Sequence, residues 1–262
     1  MDAETYAQLK LGTPHEEKDP PGGMFNLNKG VALSFADPGG FDAGYEPHPE
    51  SLTRLEGAPE GKMIAHKDWA ESTVYPGTTR DWYVYVPAQY DPSKPAALWV
   101  GMDAFGSSEQ GHTTLDNLIF KGEMPVTIGV FVTPGRNPQN AEQRSVEYDT
   151  VSEVFANFLE KDILPLVSAE YNISKDPQMR MAAGGSSGGI CAFTLAFLRP
   201  DLFGKVLCFI GSFVNIRGGH NLSWMVRNNR RRPITVYLAD GDHDLNNQHG
   251  SWPIANKEMY LL

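Results

Sequence analysis

The sequence predicts an α/β domain built on a mainly parallel sheet. Three observations carry that expectation. Continuous apolar runs recur along the chain, as strands buried on both faces require. Segments of helical period lie between them, the alternation that βαβ units produce. A glycine-rich turn with two adjacent serines follows the third apolar run, at the strand end where such sheets gather ligands.

In chain order, residues 1 to 58 carry PPGG, DPGG and PHPE with little periodicity. They read as an irregular Pro/Gly-rich arm, and residues 59–262 as the folded domain. GKMIAHKDWAESTVY and RDWYVYVPAQY alternate apolar and polar residues across PGTT, so they predict two antiparallel strands that make the sheet mixed. AALWVGMDA, VTIGVFVTP, MRMAAGG, KVLCFIGSF and ITVYLADG are the apolar runs. YDTVSEVFANFLEKDILPLVSAEYN sets Val151, Val154, Phe155, Phe158 and Leu159 on one helical face, with Pro165 expected to kink or divide it. GGICAFTLAFL is a second helix, directly after the serines.

Bulk properties exclude several classes. The 262 residues suffice for one large α/β domain with a substantial core. A formal charge of −10 and no basic stripe argue against nucleic acid as a partner. Arg230, Arg231 and Arg232 form an isolated run, read as a solvated loop. Cys191 and Cys208 stand outside any metal-spaced pattern and read as buried small hydrophobes. No apolar run approaches 18 residues, so no membrane span is expected. MDAETYAQLK does not read as a signal region, so the chain is expected in the cytoplasm as written, or outside the cell if a leader has been removed.

The motif RMAAGGSSGGICAF, residues 180–193, raises the chemical question. GxSxG alone is weak evidence, but here it sits between an apolar strand and a helix, as a nucleophile elbow does. Small neighbours are needed because the serine backbone is strained and strand and helix approach closely. Both serines satisfy the pattern. Taking Ser186 puts glycine at −2, +2 and +3, whereas taking Ser187 puts Ile190 at +3. Ser186 is therefore the favoured nucleophile, and the N–H of Ser187 an oxyanion donor. The rival readings are a glycine-rich turn without chemistry and a phosphate loop, although GGSSGG lacks the lysine of a P-loop.

These residues resemble the esterase branch of the α/β-hydrolases, which includes feruloyl, acetyl-xylan and enterochelin esterases. The resemblance is carried by RMAAGGSSGGICAF, RSVEYD, YVYVPAQYDPSKPAALWVGMDAFG, IGSFVNIRGG and LADGDHDLNNQHGSWPIAN, over roughly residues 61 to 257. It implies an α/β-hydrolase fold and hydrolysis of carboxylic esters through an acyl-serine intermediate. It implies Asp244 as the acid after the strand ITVYLADG, with Asp240 and Asp242 as turn residues. A backbone N–H of Ala104 or Phe105 would be the second oxyanion donor, although Ala104 stands where glycine is common. Arg217, and Arg144 with Glu147, fall in segments near the pocket, where substrate contact and structural ion pairs are equal alternatives. His220 is a further pocket-lining candidate.

The base is the weakest part of this reading. The family's histidine follows a further strand, and here the chain reaches Leu262 first, so the last strand and helix are expected to be missing. His249 lies nearest in sequence to the acid and is the candidate base, although a loop histidine bonding backbone is the plainer reading. His243 is expected on the surface of the acid loop. An exposed last strand would favour self-association into a homo-oligomer. No metal or organic cofactor is implied, and the expected partner is a small-molecule or carbohydrate-linked ester. Two alternatives stand beside the esterase: a silent hydrolase-fold binding protein, and a hydrolase of amides or lactones.

Overall fold

The computed structural model describes residues 46–262. The expected irregular arm therefore lies largely outside the described residues. Its last part carries a short helix α1, Pro49–Leu52.

Seven strands form one sheet: β1 Lys62–Trp69, β2 Arg80–Val86, β3 Ala97–Met102, β4 Thr127–Val132, β5 Arg180–Gly185, β6 Lys205–Phe209 and β7 Thr235–Ala239. Their spatial order is β1-β2-β4-β3-β5-β6-β7. β1 and β2 pair antiparallel, β2 and β4 likewise, and the remaining pairings are parallel. The mixed sheet and each expected strand are thus present. β3 and β4 are buried at every position, which explains their unbroken apolar sequence. Among the described residues β7 pairs only with β6, and Tyr237 on it is 56% exposed.

Helices cover both faces, and the two-residue period of the strands decides which side chain meets which helix. Trp99 and Phe131 pack with Leu115 and Ile119 of α2, Glu109–Phe120. Leu98, Val100 and Met102 face the other core, built from α4 (Val154–Phe158), α5 (Leu164–Glu170) and α6 (Ser187–Leu198). The body of α6 is buried all round, so its sequence is apolar without a stripe.

The long helical pattern before β5 departs from expectation. α3, Gln143–Tyr148, stands apart, and a π-helical turn at Leu159–Ile163 separates α4 from α5. Pro165 lies in the first turn of α5. It has no N–H to give to the preceding turn, and the wide turn absorbs that loss. After β6 comes the short helix α7, Leu222–Arg227. Beyond β7, a small hairpin of β8 (Asn246–Asn247) and β9 (Gly250–Ser251) precedes α8, Trp252–Tyr260.

Two buried polar clusters fix the frame. Arg80 on β2 and Glu147 on α3 form a bidentate pair at 2.8 and 2.9 Å with both side chains fully buried. Gln143 and the N–H of Gly135 also donate to Glu147. On α2, buried Asp116 accepts from Tyr85, Arg54 and the N–H of Gly61, which fastens the chain before β1 to the domain.

Candidate active site

β5 ends at Gly185, and Ser186 turns the chain into α6 at φ 55° and ψ −120°. That is a strained conformation for a residue with a Cβ. Two of the surrounding glycines are required by space. A Cβ on Gly184 would lie 2.5 Å from the carbonyl carbon of Gly188, and one on Gly189 2.9 Å from the carbonyl oxygen of Phe209. Ser186 N–H donates to Phe209 O at 3.0 Å, and Ser186 O accepts from the N–H of Ser212 at 3.2 Å. The turn is therefore tied into the end of β6.

The two serines stand in different surroundings. Ser186 is half-buried, with its Oγ 3.3 Å from the Oγ of buried Ser212. Trp252 Nε1 donates in turn to Ser212 Oγ at 3.3 Å. Ser187 is buried as the first residue of α6, and its Oγ accepts from Arg144 Nη1 at 2.9 Å. At a helix start, the Ser187 N–H has no intrahelical acceptor. Neither Ser212 nor Trp252 was singled out by sequence reasoning for this contact, which joins residues far apart in the chain.

The loop after β3 is also strained, with Asp103 and Ala104 both at φ 55°. Its first three N–H groups are occupied. Asp103 donates to Tyr148 Oη at 3.2 Å, Ala104 to Val132 O at 3.1 Å and Phe105 to Met102 O at 2.9 Å. Ala104 and Phe105, expected as oxyanion donors, thus give their N–H groups to carbonyls at the ends of β4 and β3. The Asp103 carboxylate takes a bidentate pair from Arg144 Nε and Nη2, at 2.9 and 2.8 Å. Arg144 and Glu147, grouped in the sequence, have different partners: Asp103 for the first and Arg80 for the second. Beside them lies buried Asp149, near the hydroxyls of Ser145 and Ser187. Burial holds its carboxyl above the usual range, against the pull of those hydroxyls.

At the end of β7 the acids come together. Asp240 follows the strand directly, and its side chain hydrogen-bonds that of Asp244. Desolvation first, then the bond to Asp244 and its charge, push the Asp240 carboxyl up to about 7. Asp244 Oδ1 also accepts from the N–H of Leu245 at 2.7 Å. The expected single acid is thus one member of a pair. A groove of about 320 Å³ opens beside it, lined by Asp240, Pro253, Asn256, Lys257 and Tyr260, and does not include Ser186.

His249 sits in the two-residue turn between β8 and β9. Its Nδ1 lies 3.3 Å from Asn215 O and its Nε2 3.4 Å from Gln248 Nε2, while its own carbonyl accepts from Asn215 N–H at 2.8 Å. None of these bonds reaches Ser186. The structure thus places His249 in the backbone-bonding role that the sequence also allowed. Arg217, at φ 45° and exposed, donates from Nε to Ser145 Oγ at 3.1 Å. His220 is exposed on a 3-10 turn, Gly219–Asn221, and His243 is exposed on the acid loop, as expected.

A doubly covered, mainly parallel sheet with a strained serine between strand and helix defines the α/β-hydrolase class. The family model described as "Putative esterase" matches residues 73–249, and the chain belongs to that family. Solved structures agree on the fold. An enterochelin esterase from Shigella flexneri superposes with a TM-score of 0.63 at 19% identity, over 81% of this chain and 52% of that one. The chain thus spans about half the length of that enterochelin esterase. A ferulic acid esterase gives 0.60 at 16% identity over 77% and 84% of the two chains. A feruloyl esterase module from Clostridium thermocellum complexed with sinapinate gives 0.53 at 18% identity over 75% and 72%.

Proposed function

We propose that this chain is a serine carboxylesterase that cleaves a small-molecule or carbohydrate-linked ester through an acyl-serine intermediate. One observation carries the reading: Ser186 occupies the strained turn between β5 and α6, while Ser187 is buried with its hydroxyl engaged by Arg144. Ser186 Oγ adds to the ester carbonyl carbon, the carbonyl π pair moves to oxygen, and the Ser187 N–H receives that charge. The Ser186 proton passes to a base. His249 is the candidate this chain offers: a bond from Nδ1–H to Asn215 O makes Nε2 the acceptor, which the Gln248 amide must release before the serine proton can pass to it. The oxyanion pair returns to re-form the carbonyl, the C–O bond to the alcohol breaks as the base gives its proton to the leaving oxygen, and water hydrolyses the acyl-serine that remains.

A second reading is favoured by one observation: Ser186 Oγ meets Ser212 rather than a histidine. The chain is then a hydrolase fold that binds an ester-like ligand with little turnover. Hydrolysis of p-nitrophenyl acetate and butyrate separates the two, with fluorophosphonate labelling of the serine alongside. The esterase reading expects Ser186→Ala to lower turnover by roughly 10⁴–10⁶-fold, with His249→Ala in the same range. An inert, unlabelled wild type overturns the esterase reading. A His249→Ala variant as active as wild type removes His249 from the reaction and leaves Ser186 in place.

A further inference from the structure

We propose that Arg144 is the second oxyanion-stabilising group of this site, in the place that a loop N–H would otherwise fill. The inference rests on Ser186 being the nucleophile.

The loop after β3 has little to offer. The N–H groups of Asp103, Ala104, Phe105 and Ser107 are bound to Tyr148 Oη, Val132 O, Met102 O and Ala104 O. Gly106, at φ 109°, leaves no room for a side chain, since a Cβ there would lie 2.5 Å from the Phe131 ring. Two consecutive residues at positive φ hold this arrangement, so releasing an N–H would mean rebuilding the turn.

Arg144 has donors to spare. A guanidinium carries five N–H bonds. Contacts from Nε, Nη2 and Nη1 use one each, to Asp103 Oδ1, Asp103 Oδ2 and Ser187 Oγ, which leaves two. Nη1 lies 2.9 Å from the side chain of the residue whose N–H faces the developing oxyanion. The Arg144 side chain is 42% exposed, so an ester can reach it. The fork to Asp103 fixes its plane, and the bond to Ser187 fixes its end. Such a donor needs no reorganisation when charge develops. A bond from its remaining N–H strengthens as the carbonyl oxygen gains charge, so the ester is held weakly and the transition state better. Arg144 therefore acts on kcat more than on KM.

The test is steady-state hydrolysis of p-nitrophenyl acetate by Arg144→Gln, Arg144→Lys and Arg144→Ala, each with a thermal melt and fluorophosphonate labelling. Arg144→Gln is expected to lose roughly 10²–10³-fold in kcat with KM little changed, the loss typical of one oxyanion donor. Arg144→Ala is expected to regain activity when guanidinium is added at non-denaturing concentration. Retained kcat, or a rise in KM alone, overturns the inference. Should Arg144→Ala melt early, Arg144→Lys decides, since it keeps the charge and loses the fork: wild-type kcat there overturns the proposal. If the wild type neither turns over ester nor takes the label, the serine reading falls and this inference with it. If the wild type is active and the Arg144 variants match it, this inference alone falls.

Discussion

At the scale of single residues, the Arg80–Glu147 pair shows how costly a lone buried charge is. Both side chains are fully buried, and the Arg80 guanidinium also lies 4.2 Å over the Phe158 ring. Coulomb attraction and the added donors from Gln143 and Gly135 offset desolvation only while both partners are present. Glu147→Gln should therefore destabilise the domain by about 3–5 kcal/mol, read from urea unfolding. The double variant Arg80→Met with Glu147→Leu removes both charges and keeps most of the volume. It should cost clearly less than Glu147→Gln alone. Equal losses in the two variants would show that the ion pair is not the reason. The sequence could not announce this pair, because 67 positions separate its members. The two serines were legible for the opposite reason: the glycines that relieve their crowding are their near neighbours in the chain.

At the scale of elements, the join of β5 to α6 depends on distances too short for any side chain. A methyl on Gly184 would meet backbone atoms of Gly188 at 2.5 Å, and backbone has little room to yield. Gly184→Ala should cost about 1–3 kcal/mol by overpacking and shift Ser186, so that activity falls further than the lost stability explains. Comparing the melt with p-nitrophenyl acetate turnover checks this. The parallel strands were readable because burial on both faces leaves an unbroken apolar run. α2 was not readable. Its buried set includes Thr113, Asp116 and Asn117, and the partners of Asp116 and Asn117 lie on distant segments. The π-helical turn was equally hidden, since only Pro165 marked a disturbance and it does not specify how the turn widens.

At the scale of the whole molecule, the acid pair couples stability to pH. Asp240 titrates in the fold at about 7, above the roughly 4 of an unfolded aspartate. Between those values the folded state holds a proton that the unfolded state has released, so stability from this group falls as pH rises from about 4 to 7. Asp240→Asn should flatten that decline, seen as a smaller difference in Tm between about pH 5 and pH 8. An unchanged difference would place the proton elsewhere.

The position of β7 at the rim of the sheet has a further consequence. β5, which carries the elbow, is bonded to strands on both sides, whereas β7, which carries the acids, is bonded on one side among the described residues. Amide hydrogens of Ala182 and Ala183 should exchange only when the domain unfolds as a whole. Those of Val236 and Leu238 should exchange through smaller openings. Ser186 and the aspartate pair then belong to different cooperative units, and the candidate site can come apart at one end while the rest of the protein stays closed.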